Sequence, residues 1–247
     1  MQTRTMPFLV AAALLAAVTA AQAQTSAASA AAGRPARPIF LDLNAALEGA
    51  APAIETSNTF RLFGETGAAA TREEPPTSAM ADARLGYWIT DRVGIAFGFA
   101  GGRSETVGKT AASVPSPIRF ASPTILNLDA PGLKRREADY NVQVVWRVPV
   151  NLPHDAALLV AGGPSIVQLQ QSIASVDTGA QTPSVVVDNE KGTAFGGHVG
   201  VDLVYPITDA VGIGLFVRYV GGHLDLPSAA DVKVGGAQAG GGIRLRF

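Results

Sequence analysis

Lys134-Arg135-Arg136-Glu137-Ala138-Asp139-Tyr140-Asn141-Val142-Gln143-Val144-Val145-Trp146-Arg147-Val148 alternates along nearly its whole length. Ala138, Tyr140, Val142, Val144, Trp146 and Val148 fall on one face. Arg135, Glu137, Asp139, Asn141, Gln143 and Arg147 fall on the other, with Val145 as the main break. A helix would scatter both sets around its circumference, whereas a strand turns successive side chains to opposite faces. The segment therefore reads as a strand with one apolar and one polar face.

The same period recurs on both sides of it. Ala79–Ile89, Val93–Gly102, Thr193–Tyr205, Val211–Tyr219 and Ala237–Phe247 each alternate, with Met80 and Trp88 as exceptions. Thr59–Ala69 and Ala156–Gln170 are weaker, and Pro164 in the latter predicts a bulge because proline cannot donate to a ladder. These make eight runs between Thr59 and Phe247, and Ile39–Leu47 alternates as a ninth. Bacterial single-chain barrels have even strand numbers. Eight strands with 39–47 outside the wall is the favoured count, and ten is the alternative.

The polar faces decide between a soluble sandwich and a membrane barrel. A sandwich would turn Lys, Glu and Thr to water. Here the polar faces are mostly Gly and Ala, punctuated by single Arg, Asp, Glu or His residues. A narrow barrel interior suits that mixture: small residues make room while isolated charges pair across the lumen, and the apolar face meets lipid. Charged residues are only 16%, against about 25% in an ordinary soluble domain, which fits a lipid-facing exterior. The connections alternate too. Thr90-Asp91-Arg92, Asn151–His154 and Pro206–Asp209 are short, while 103–133, 172–192 and 223–231 are long and polar. Pro115, Pro117, Pro123 and Pro131 oppose regular pairing in the first long one. On the apolar faces, Tyr87, Trp146, Tyr205 and Phe247 cluster near the short turns, and Phe99, Tyr140, Phe195 and Tyr219 near the long connections. These form two aromatic girdles at two membrane interfaces. The fold expected is all-β: a transmembrane antiparallel up-and-down β-barrel.

Residues 1–23 read as a cleaved signal peptide: Arg4, an apolar run from Phe8 to Ala21, and the A-x-A site Ala21-Gln22-Ala23. Residues 24–38 read as a disordered leader, and 39–247 as the outer-membrane barrel domain. The chain has no cysteine, which excludes a disulfide framework, a thiolate metal site and a catalytic thiol. A net charge of −1 offers no basic field for nucleic acid.

The terminal segment Ala237-Gln238-Ala239-Gly240-Gly241-Gly242-Ile243-Arg244-Leu245-Arg246-Phe247 resembles the terminal strand signal of outer-membrane proteins. The wider pattern, over about 59–247, resembles the small outer-membrane β-barrel proteins, which include OmpX-like and OmpA-like barrels. That resemblance implies location in the cell outer membrane. It also implies that Ile243, Leu245 and Phe247 form a signal for the assembly machinery, with outer-membrane lipid as the other partner. It assigns no activity.

Candidate chemistry is sparse. A lumenal polar network is expected from Arg84, Glu137, Asp139, Arg147, His198, Asp202, Arg218 and Arg244, with Arg61, Glu65, Asp82, Arg135 and Arg246 as further inward charges. His198 and Asp202 share a face but lie about 13 Å apart along the strand, too far to touch. His154 falls in a short turn and His223 at the base of a long connection. The glycine clusters lack the P-loop Lys-Ser/Thr and precede no helix, so they read as strand curvature. Glu73-Glu74 read as a solvated pair in a connection. No catalytic residue, metal site or cofactor is indicated. The favoured function is a structural or surface-interaction barrel with a closed, polar-filled lumen and long extracellular loops. A narrow porin-like channel is second and a barrel enzyme acting on lipid third. Leu215 should touch lipid, so Leu215→Arg should cost about 2–4 kcal/mol, and Gly214→Ser beside it should cost less because it faces a polar interior.

Overall fold

The computed structural model describes residues 37–177 and 184–247. The signal peptide and nearly all of the leader lie outside the described residues. The strands are β1 (Ile39–Glu48), β2 (Ile54–Leu62), β3 (Glu65–Glu73), β4 (Ser78–Trp88), β5 (Val93–Val114), β6 (Thr124–Arg147), β7 (Ala157–Asp177), β8 (Ser184–Pro206), β9 (Val211–Leu226), β10 (Ala229–Val234) and β11 (Ala237–Arg246). Every pairing between them is antiparallel. Eight strands form a closed ring, β1-β4-β5-β6-β7-β8-β9-β11, because β11 returns to β1 with Leu43 opposite Ile243. Backbone bonds between Ile39 and Phe247 seal the join.

The expected number of strands holds, but the membership is corrected. Ile39–Glu48 is a wall strand, paired on both sides. The run at Thr59–Ala69 lies off the ring: it spans the tip of the β2–β3 hairpin, which pairs with the ring only through β3 and the far end of β5. Phe63 and Gly64, both at positive φ (52° and 82°), form the two-residue hairpin turn whose twist suits antiparallel strands. Arg61 and Glu65 are therefore not lumenal; Arg61 is exposed, and Glu65 accepts a bond from the Ala121 amide.

The long connections are also corrected. β5 runs on to Val114 and β6 starts at Thr124, so 103–133 is mostly hairpin. Pro131 is accommodated at an irregularity, between the pairs Thr106–Leu133 and Gly108–Ala130, beside Gly132 at φ +76°. Likewise β7 and β8 stay paired as far as Asp177 and Ser184. Pro164, by contrast, makes no bulge: it keeps register opposite Gly197.

Two tight turns at the opposite rim share one construction. Ile89-Thr90-Asp91-Arg92-Val93 and Ile207-Thr208-Asp209-Ala210-Val211 each place a threonine hydroxyl on the valine amide, at 3.0 and 3.1 Å. In each, the isoleucine amide also bonds the valine carbonyl at 2.9 Å.

Inside, the molecule is layered. Near the short-turn rim Phe40, Trp88, Val145, Leu159 and Val204 make an apolar layer, which explains why Trp88 and Val145 break their patterns. A charged layer follows. Beyond it Ile54, Val167, Leu169, Ile173, Val220, Leu224 and Val232 make a second apolar core. Ile54 belongs to β2, and Asn58 on the same strand donates to the Val176 carbonyl at 3.2 Å, so the hairpin folds across the mouth of the ring. Outside, Leu43, Leu85, Phe97, Val142, Val201, Leu215 and Val217 stand exposed in a continuous apolar band. That inverted arrangement is the transmembrane β-barrel.

Candidate functional site: the polar lumen

Strand alternation aims Asp42 and Asn44 (β1), Asp82 and Arg84 (β4), Asn141 and Gln143 (β6), Asp202 (β8), Arg218 (β9) and Arg244 (β11) into one layer. Arg84 Nε donates to Asp42 Oδ2 at 2.8 Å and Nη1 to Asp202 Oδ2 at 2.9 Å. Arg244 lies between the same two carboxylates, at 3.6 and 3.5 Å, and its Nη1 donates to Asn44 Oδ1 at 2.5 Å. Asn44 in turn donates to Asp82 Oδ1 at 2.5 Å, and Arg218 Nη1 reaches Asp82 Oδ2 at 2.7 Å. Two arginines against two aspartates, and a third pair beside them, leave the layer neutral. Buried charges demand that: removing water from an ion is expensive unless a partner replaces it.

A second tier lies towards the long strand ends. Arg135 pairs with Glu137, whose other oxygen accepts from the Gly235 amide at 3.0 Å. Gln238 bridges the tiers, accepting from Arg218 Nε at 2.5 Å and donating to Glu48 at 3.1 Å. Asp139 accepts from Asn141 Nδ2 at 2.9 Å. Arg147 stands apart from this chain of bonds, its guanidinium 4.8 Å from the Trp88 ring at the short-turn rim.

Of the eight expected network residues, the structure joins Arg84, Asp202, Arg218 and Arg244 in one layer and places Glu137 and Asp139 just beyond it. His198 does not meet Asp202. It shares a 3.1 Å hydrogen bond with Ser165 of β7. His154 takes positive φ (56°) in the short turn, its ring 6.1 Å from Tyr205, and His223 meets Asp231 at 2.9 Å. Sequence reading missed Asp42, a lone carboxylate in an apolar alternating run, because that run was placed outside the wall. It also missed Glu73, expected in solvent. Glu73 is 0% exposed and accepts from Gln171 Nε2 at 2.8 Å under the hairpin. Only Glu74 is solvated, against Arg72 at 2.9 Å.

Glycines shape the lumen locally. A Cβ on Gly214 would lie 2.6 Å from Arg244 Nε, and one on Gly200 2.6 Å from the Arg218 Cβ. At these two positions glycine makes the room that an arginine occupies. Beside Asp82, Arg84, His198 and Asp202 there remains a gap of about 20 Å³, the size of one water. Among the described residues no group of three or more His, Cys, Asp or Glu is placed to hold a metal.

No family model and no curated protein sequence matches the chain. Solved structures similar to it include the outer-membrane protein OprG from Pseudomonas aeruginosa, with 9% identity and a TM-score of 0.47 over 87% of this chain and 98% of that one. Neisserial surface protein A matches with 12% identity and a TM-score of 0.44, over 85% and 97% of the two chains. Ail, the attachment invasion locus protein of Yersinia pestis, matches with 12% identity and a TM-score of 0.39, over 83% and 98%.

Proposed function

We propose that the chain is an integral outer-membrane barrel with a closed lumen, serving a structural or surface-interaction role rather than transport or catalysis. The stacking of three interior layers carries this reading. Phe40, Trp88 and Val145 close one end; the Arg84–Asp42–Asp202–Arg244 cluster fills the middle; Leu169, Val220 and Leu224 under the β2–β3 hairpin close the other. An eight-stranded ring is only wide enough for side chains. Ser165 and His198 sit inside this packing, with no carboxylate hydrogen-bonded to His198 Nε2, so they support the interior rather than a hydrolytic centre.

On this reading the signal peptide is removed on export, and Ile243, Leu245 and Phe247 guide assembly before β11 seals against β1. The short turns face the periplasm, while the hairpin and the long strand ends face outward. Purified protein in a planar bilayer should show no steady conductance. Reproducible single-channel steps would overturn the closed lumen and favour the porin-like alternative.

A further inference from the structure

On the outer face of the wall, a shallow open depression of about 930 Å³ crosses β4 to β8 just beyond the apolar band. Its lower edge is the row Phe99–Tyr140–Ile166–Phe195, four directly paired residues, with the Phe99 and Tyr140 rings 5.2 Å apart. Its floor is the next outward row, Gly101–Ala138–Gln168–Thr193. Its upper edge is Arg103–Arg136–Gln170–Lys191. Arg103 stands directly opposite Arg136, an arrangement that destabilises a sheet through like-charge repulsion. Elsewhere the same surface supplies carboxylates to its cations. Arg72 also faces a cation, Lys109, but Arg72 is held by Glu55 and Glu74 and Lys109 has Asp129 opposite it on its other side, while Glu105 faces Lys134 in the adjoining row. Arg103, Arg136 and Lys191 are in no ion pair among the described residues, and the nearby Glu137 is turned inward to Arg135.

Depth gives the cluster its meaning. A spanning strand takes about 9–11 residues. Arg103 comes ten residues after Val93 and Arg136 ten before Trp146, so both arginines stand where the hydrocarbon ends. The ladder row climbs with strand tilt from β5 to β8, which lifts Lys191 above them as an overhang. Guanidinium groups offer planar forks that match phosphate oxygens, and Gln168, Gln170 and Thr193 add neutral hydrogen-bonding groups beside them. The aromatic edge and small-residue floor leave space for the acyl chain below.

The geometry points to a binding site for an anionic, phosphomonoester-bearing lipid headgroup of the outer leaflet, held between Arg103, Arg136 and Lys191. The site rests on the outer-membrane reading above, and the phosphate resolves the repulsion between the facing arginines. Native mass spectrometry of the refolded barrel in detergent tests it, with phosphatidic acid, phosphatidylcholine and inorganic phosphate as probes. Wild type should retain phosphatidic acid over phosphatidylcholine. Arg103→Gln/Arg136→Gln/Lys191→Gln should weaken retention by about 100-fold, since each cation near an anionic lipid surface contributes about a factor of five. Lys233→Gln on the β9–β10 side should leave it unchanged. Equal retention of both lipids, or by the triple variant, would overturn the site. Displacement of the lipid by inorganic phosphate at matched concentration would overturn the lipid as its occupant. A heat-modifiability gel shift reads folding of each variant separately, so loss of retention in a folded barrel bears on the site alone.

Discussion

Along β5 the chain exchanges its two solvents partway. From Val93 to Ala100 the outward residues are Val93, Ile95, Phe97 and Phe99, and the inward ones Gly94, Ala96, Gly98 and Ala100. From Arg103 to Val114 the outward set includes Arg103, Glu105 and Lys109, and the inward set Thr110, Ala112 and Val114. β8 does the same: Phe195, Val199, Val201 and Leu203 face out below, while Asn189 and Lys191 face out above. Along β7–β8 the backbone does not register the change, since that ladder runs unbroken through both halves. Hydrogen bonding builds the wall, and side-chain polarity alone decides whether lipid or water surrounds it. The membrane half keeps charge inside and apolar surface outside; the distal half has an ordinary apolar core.

The largest loss should follow from removing a charge inside the membrane half. Asp202→Ala leaves Arg84 and Arg244 sharing Asp42 alone. A buried charge stripped of a partner costs about 3–5 kcal/mol. Urea unfolding in lipid vesicles should show that loss. A change below about 1 kcal/mol, the range of exposed pairs, would mean the layer is hydrated rather than sealed.

The exteriors differ by a similar margin. Leu215, 65% exposed midway along the apolar face of β9, should cost about 2–4 kcal/mol when changed to arginine. Ala111→Arg, outward on the distal half of β5, should stay within about 0.5 kcal/mol because that surface is already in water. Equal costs in the same unfolding assay would place both halves in one solvent.

This inversion also explains what the sequence revealed and what it hid. In the membrane half, apolar residues mark the outward phase, so Val93–Gly102 and Val211–Tyr219 were legible as strands. Past Arg103 the backbone phase continues while the apolar residues switch to the inward phase, and the pattern looks broken. Residues 103–133 and 172–192 therefore read as loops, with the prolines reinforcing the error. For the lumen, phase alone supplied the inward charges. Their partners depend on cross-barrel register, which one strand does not encode. Asp202 lies four residues from His198 in sequence yet meets Arg84 of β4, and His198 meets Ser165 of β7.

A smaller loss is expected from overfilling the membrane half's interior. By alternation alone Gly214→Ser should cost less than Leu215→Arg, as a small polar group in a polar lumen. The structure gives that cost a cause, because the new Cβ would fall 2.6 Å from Arg244 Nε, and that guanidinium is held by Asn44 and lies between Asp42 and Asp202. The substitution should cost about 1–3 kcal/mol, the range for overpacking a tight interior. A neutral result in the unfolding assay would mean Arg244 has room to move.

The smallest effect belongs to Glu73, the distal half's own buried charge. Burial pushes its carboxyl above the usual value of 4.5, opposed by bonds from the Ala174 amide and Gln171 and by the positive charge of Arg135. A raised folded value means the fold favours the protonated form. The stabilisation is therefore complete below about 4.5 and fades as pH rises through the folded value. Hairpin β2–β3 should open more readily at neutral than at acidic pH, read as amide exchange corrected for intrinsic rates. Glu73→Gln should flatten that dependence while leaving exchange in β4 and β9 of the membrane half unchanged. If β4 followed the hairpin, the two halves would open as one unit, and the apolar core over the mouth would be part of the membrane barrel rather than a separate cap on it.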